Sequence, residues 1–135
     1  MTYYIGILDG EDDVWGVRIP DLPGCFGGGP TPEAAIADAT SAAGEWAAYM
    51  IKNGYPVNAP RTLKAIVADP DVEFKLGTEI IHLIPLIVNR NRQVKANISM
   101  DAGALEAIDA AAKHRGLTRS NFIVGTMLDK IAKDA

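Results

Sequence analysis

The sequence predicts an α+β fold in two parts: an antiparallel sheet carrying one long helix over residues 1–88, then a strand–helix–turn–helix unit over residues 93–135. Three observations predict it. Two β-rich runs flank a Gly/Asp connection near the start. One alanine-rich stretch repeats its apolar residues at three- and four-residue steps. After residue 92 the apolar period becomes two, and then returns to the helical period.

Tyr3 to Leu8 and Val14 to Ile19 have strand composition, and Gly10 to Asp13 is the turn between them. In the next segment, Pro20-Asp21-Leu22-Pro23-Gly24-Cys25-Phe26 and then Gly27-Gly28-Gly29-Pro30, the prolines and glycines impose turns and leave room for one short strand. Thr31 is placed to cap a helix, Pro32 fits its first position, and Glu33 suits the positive end of the helix dipole. The helix runs from Ala34 to Lys52. Its stripe is Ile36, Ala39, Ala43, Trp46 or Ala47, and Met50. Asn53-Gly54 ends it, and Pro56 follows. Thr62 to Ala68 is a short helix stopped by Asp69-Pro70. Ile80 to Val88 is a buried strand whose Pro85 suits an edge or a bulge.

Asn89-Arg90-Asn91-Arg92 is a polar, basic linker over residues 89–92. Beyond it, Val94, Ala96, Ile98 and Met100 alternate with Lys95, Asn97 and Ser99, as in a strand with one apolar face. Asp101 caps a helix that carries Leu105, Ile108 and Ala112 and stops at Gly116. Thr118 caps a second helix, with Ile123, Met127 and Ile131 on one stripe and Val124 and Leu128 beside it. A unit of about 40 residues without disulfide or metal can scarcely bury a core alone. Two copies solve this: their strands pair into a ribbon and their four helices close one core. A homodimer through the C-terminal unit is expected, with further assembly left open.

Composition excludes several classes. The chain has 135 residues, 48% hydrophobic and 22% charged, which is a globular balance. A net charge of −4 excludes a wholly basic nucleic-acid coat protein. No apolar run approaches the roughly 20 residues of a membrane span, and no secretion-signal pattern opens the chain. No membrane association and a cytoplasmic location are expected. The charge is uneven. Residues 1–60 hold Asp9, Glu11, Asp12, Asp13, Asp21, Glu33, Asp38 and Glu45 against Arg18 and Lys52, whereas the rest is near neutral. Two surfaces with different partners are implied.

Catalytic signals are weak. Cys25 is the only cysteine and has no neighbouring His, and His82 and His114 lack ligands at metal spacing. Gly27-Gly28-Gly29 lacks the Lys-Ser/Thr of a phosphate loop, and turn geometry accounts for it. Asp9, Glu11, Asp12 and Asp13 spread over a turn instead of converging on a metal pair. No enzyme activity, no catalytic residue, no cofactor and no metal are expected.

The C-terminal unit resembles a ribbon-helix-helix DNA-binding domain. The resemblance rests on Val94-Lys95-Ala96-Asn97-Ile98-Ser99-Met100, the helix after it, and Gly116-Leu117-Thr118-Arg119-Ser120. It implies a two-stranded ribbon in the DNA major groove, with Lys95, Asn97 and Ser99 reading base edges. Lys donates to guanine, Asn pairs with adenine through two bonds, and Ser does either. Backbone N–H groups at Thr118, Arg119 and Ser120 would hold a phosphate, with Arg90 and Arg92 as a short arm. Many members carry Arg on the ribbon, so this one is modestly charged.

The N-terminal part is similar to the HicB antitoxin family. That resemblance rests on Pro20-Asp21-Leu22-Pro23-Gly24-Cys25, Gly29, Thr31 and Glu33-Ala34, with the hairpin before them and Gly54 and Pro56 after. Some members carry a ribbon-helix-helix tail. The resemblance implies a truncated ribonuclease-H-like fold over residues 1–88 and a type II antitoxin that occludes a HicA-type RNA-cleaving toxin. It also implies repression of its own operon through double-stranded operator DNA. An acidic front half suits a basic toxin. Tyr3, Asp9, Glu11, Asp12, Asp13 and Trp15 are the candidate toxin contacts, chosen on exposure and charge. The alternatives are a stand-alone repressor whose front domain senses a small ligand, and a metal-dependent nuclease using Asp12 or Asp13.

Overall fold

A computed structural model describes all of residues 1–135. The chain divides into two units: Met1–Arg90 with Ala132–Ala135, and Asn91–Ile131.

The first unit holds strands β1 (Tyr3–Glu11), β2 (Val14–Arg18), β3 (Phe26–Gly29) and β4 (Ile80–Pro85), and helices α1 (Pro32–Lys52) and α2 (Leu63–Ala68). The strands form one antiparallel sheet in the order β3-β2-β1-β4. Tyr4, Leu8, Val17 and Ile84 lie on one face of the sheet. With Ile19, Leu22, Ala35, Ile36, Ala39 and Ala43 they form the core under α1. Ile7 alternates to the other face and is also fully buried. Arg18, its cross-strand neighbour, bonds the Glu73 carbonyl and the Glu79 carboxylate, which draws residues 73–79 over that side.

Several boundaries differ from the sequence expectation, each for a physical reason. The hairpin turn is only Asp12-Asp13, because Gly10 and Glu11 pair with Trp15 and Val14 inside the ladder. Asp12 takes the positive φ of 54° that a tight hairpin needs, which short polar side chains tolerate. The strand expected over Ile80 to Val88 stops at Pro85, opposite Tyr3, where β1 itself begins. Pro85 thus ends an edge strand, a place where a missing N–H costs little.

Gly27-Gly28-Gly29 is not a turn. These residues are strand β3, and the reason for glycine is proximity to α1. A Cβ on Gly27 would stand 2.2 Å from the Ala39 backbone nitrogen and 2.6 Å from the Ala35 oxygen. The small stripe Ala35, Ala39 and Ala43 and the glycine strand are two halves of one close contact. Helix α1 opens as expected: Thr31 Oγ1 accepts from Ala34 N at 3.1 Å, and Pro32 stands in the first turn. Thr62 caps α2 in the same way.

The second unit holds α3 (Ala102–His114) and most of α4 (Arg119–Lys133). Asp101 caps α3, accepting from Gly103 N at 2.9 Å. Gly116 leaves the helix at φ 69°, where a Cβ would be strained. Thr118 Oγ1 accepts from Asn121 N at 3.1 Å and so caps α4. Residues 94–100, expected to be a strand, form none in this chain. A strand exists only through a ladder, and no segment of the same chain pairs with this one.

Candidate functional site

In residues 94–100 every residue is exposed, apolar and polar alike. Lys95, Asn97 and Ser99 alternate with Val94, which is 76% exposed, and Ile98, at 65%. Amphipathic alternation normally means one dry face. Here the face that should be dry is wet. Helix α4 shows the same pattern: Val124, Met127, Leu128 and Ile131 all count as exposed large hydrophobics. Ala112 is the one buried residue in Asn91–Ile131.

The corner between α3 and α4 gathers the other candidates. Thr118, Arg119 and Ser120 stand at the start of α4, all exposed. The Thr118 hydroxyl is engaged as the cap. Arg119 is engaged too: Nε donates to Asp109 Oδ1 at 2.7 Å and Nη2 donates to Asp109 Oδ2 at 2.8 Å. The guanidinium holds the Asp109 carboxyl below its usual range, and the carboxylate raises Arg119 further. Across the same corner Arg115 lies over the Phe122 ring, 5.2 Å from its centroid. Sequence reasoning missed Asp109 and Phe122. No motif marks them, because their roles come from a turn that folds α4 back on α3. Arg90 and Arg92, on either side of the boundary between the units, are exposed.

The candidates of the first unit are not brought to one place. Asp9 and Glu11 occupy alternate positions of β1 and share a face, and Asp12 and Asp13 follow in the exposed turn. Tyr3 has the same parity but lies roughly 20 Å away along the strand, at about 3.4 Å per residue. Trp15 pairs with Gly10 and turns to the α1 side, partly buried against the core, with Nε1 donating to Asp12 O at 2.9 Å. The acidic group is thus Asp9, Glu11, Asp12 and Asp13 alone. No group of three or more His, Cys, Asp or Glu side chains is placed to hold a metal ion. Cys25 is buried, and burial pushes its thiol up, away from the reactive thiolate. His82 Nε2 lies 2.8 Å from the Ala132 carbonyl oxygen within the first unit.

The proline-rich motif has a structural task that its sequence did not reveal. Asp21 is buried, and its carboxylate accepts from Arg61 N at 2.7 Å and from Arg61 Nε at 2.6 Å. Its carbonyl accepts from Asn58 Nδ2 at 2.9 Å, and the Tyr4 hydroxyl donates to Asn58 O at 2.5 Å. Arg61 continues to Asp69 at 2.7 Å. This network ties the loop at 57–62 to the first strand. Burial, then the nearby Asp21 charge, raise the Tyr4 phenol.

Comparison with known proteins bears on this arrangement. A family model described as the HicB-like antitoxin of bacterial toxin-antitoxin systems matches residues 3–126. The chain is similar to the crystal structure of the Burkholderia pseudomallei antitoxin HicB, with 26% identity over 95% of this chain and 97% of that one, at a TM-score of 0.55. It is also similar in fold to a toxin-antitoxin complex from Streptococcus pneumoniae, with 16% identity over 96% and 98% of the two chains, TM-score 0.52. A chain of the HicA3 and HicB3 toxin-antitoxin complex matches 64% of this chain over 99% of its own, at 20% identity and TM-score 0.50. No curated protein matches this chain.

Proposed function

This chain belongs to the HicB-like antitoxin family of bacterial toxin-antitoxin systems, and from that premise we propose two tasks, one for each unit. The first unit, a truncated ribonuclease-H-like domain over residues 1–88, binds a HicA-type RNA-cleaving toxin and blocks it by occlusion, without turnover. The second, a ribbon-helix-helix domain over residues 93–135, pairs with a second copy and represses the chain's own operon by binding duplex DNA. Residues 89–92 link them.

One observation carries the DNA-binding half: an alternating segment, 94–100, whose apolar residues are left in water by its own chain. Pairing with a copy of itself covers Val94, Ile98 and Met100 and completes the missing ladder. That same pairing turns Lys95, Asn97 and Ser99 outward, where they match base edges in a major groove. The backbone at Thr118, Arg119 and Ser120 then meets a phosphate at a helix start, and Arg90 and Arg92 add backbone contacts.

Support for the toxin partner is the fold shared with a chain of the HicA3 and HicB3 toxin-antitoxin complex. The chemistry agrees, since Asp9, Glu11, Asp12 and Asp13 make an exposed acidic group that would speed encounter with a basic protein. Tyr3 and Trp15 are weaker contacts, one distant and the other half-buried.

The test is co-expression with the toxin gene beside its own. Copurification and restored growth are expected. Growth arrest despite expression of both proteins overturns the antitoxin task for that pair. Binding of the purified chain to its own promoter, compared with random duplex, tests the repressor task, and equal affinity for both overturns it.

A further inference from the structure

Arg119 opens α4, and its bidentate pair with Asp109 on α3 fixes the guanidinium plane as well as its position. Neither side chain is hidden: 53% of Arg119 and 44% of Asp109 remain exposed. A nucleic-acid phosphate can therefore reach the pair. The pair also has no net charge, because the same bond that aligns Arg119 keeps Asp109 ionised.

A guanidinium carries five N–H donors. Two are spent on Asp109, and three remain, held in a fixed plane. The Coulomb pull of the arginine on any phosphate is largely cancelled by the adjoining carboxylate, while its directional donors survive. The two consequences differ for DNA. Sequence-independent binding is driven by counterion release and scales with the cations presented. Binding in one register depends on donors aimed at one phosphate. Arg115 over the Phe122 ring adds a second contact across the same corner.

We infer that Asp109 is a specificity-determining positioning residue: it holds Arg119 as an aimed donor for one operator phosphate and removes its indiscriminate attraction to DNA. The inference rests on the DNA-binding reading above. It adds that a carboxylate at a DNA-facing corner improves discrimination at the expense of raw affinity.

The experiment measures binding of the full-length chain to its own promoter and to random duplex of equal length, over a series of salt concentrations. Asp109→Asn should bind random duplex several-fold more tightly. Its plot of log affinity against log salt should steepen by about 0.9 for each arginine released, so by nearly two units for a dimer. The preference for promoter over random DNA should fall several-fold. Asp109→Asn combined with Arg119→Ala should lose the added slope. Arg119→Lys keeps the charge without the bidentate pair and should lose preference as well, so a folding fault at position 109 does not decide the matter. If the wild type prefers its promoter and both Asp109→Asn and Arg119→Lys leave slope and preference unchanged, the inference is wrong and the DNA-binding reading stands. If the wild type shows no preference at all, the DNA-binding reading itself falls, and this inference with it.

Discussion

In the first unit Tyr4, Ile7, Leu22 and Ile84 are shielded from water by residues of the same chain. In the second, Val94, Ile98, Val124 and Met127 each keep more than half of their surface in water. The two units have similar shares of hydrophobic residues, and what separates them is closure. A sheet with a helix across it closes on itself. A lone alternating segment with two helices has no layer left to cover it. Apolar side chains gain about 1.5–3 kcal/mol when fully buried, so in the dimer proposed above the second unit would draw much of its stabilisation from association. In that dimer its fold and its assembly would be one equilibrium, tied to concentration.

The sharpest way to break this contrast is Ile98→Asp. Two copies of the residue are lost from a dimer, so about 3–6 kcal/mol of association should go, or at least a hundredfold in dissociation constant. Sedimentation should show a monomer that no longer binds promoter DNA, while the first unit melts as before. An unchanged dimer would mean that the exposed face belongs to something else. The converse variant is Gly27→Val. Its side chain would collide with the Ala35 and Ala39 backbone, which cannot yield, at a cost of about 3 kcal/mol. Thermal melts followed through Trp15 and Trp46 should drop by several degrees, with dimerisation retained.

Smaller effects sharpen the comparison. Asn97→Ala should cost about 1–3 kcal/mol on operator DNA and leave toxin binding intact. Equal affinity of variant and wild type across several salt concentrations would remove Asn97 from the reading face. The mildest effect concerns acid. Arg18 holds the buried Glu79 carboxyl below its usual range, helped by the Lys75 N–H. A depressed carboxylate stabilises the fold above its ordinary titration range, and that stability fades as pH falls through the lowered value. The first unit should therefore lose stability on acidification, and Arg18→Gln should flatten that dependence. Denaturant melts at pH 7 and pH 3 measure both, and equal pH dependence in the two proteins would place the acid sensitivity elsewhere.

Local signals in the sequence were sufficient for much of this. Thr31, Asp101 and Thr118 cap their helices as their positions implied, and Gly116 takes the left-handed turn. These features depend on residues within four positions of one another, which is the range over which a helix decides its own ends. Pro85 in an edge strand was legible for the same reason, since a missing donor restricts a residue wherever it falls.

Contacts between distant residues were not legible. That Gly27 is a packing surface for Ala35 and Ala39, that Asp21 holds Arg61, and that Arg119 grips Asp109 follow from which elements meet. Trp15 illustrates the limit: expected exposure made it a candidate toxin contact, and the ladder register turned it toward α1. Periodicity states that residues 94–100 have two faces, and it does so from the sequence alone. Only the folded chain shows that neither face is covered, because burial belongs to the whole packing of a molecule and alternation belongs to a single segment.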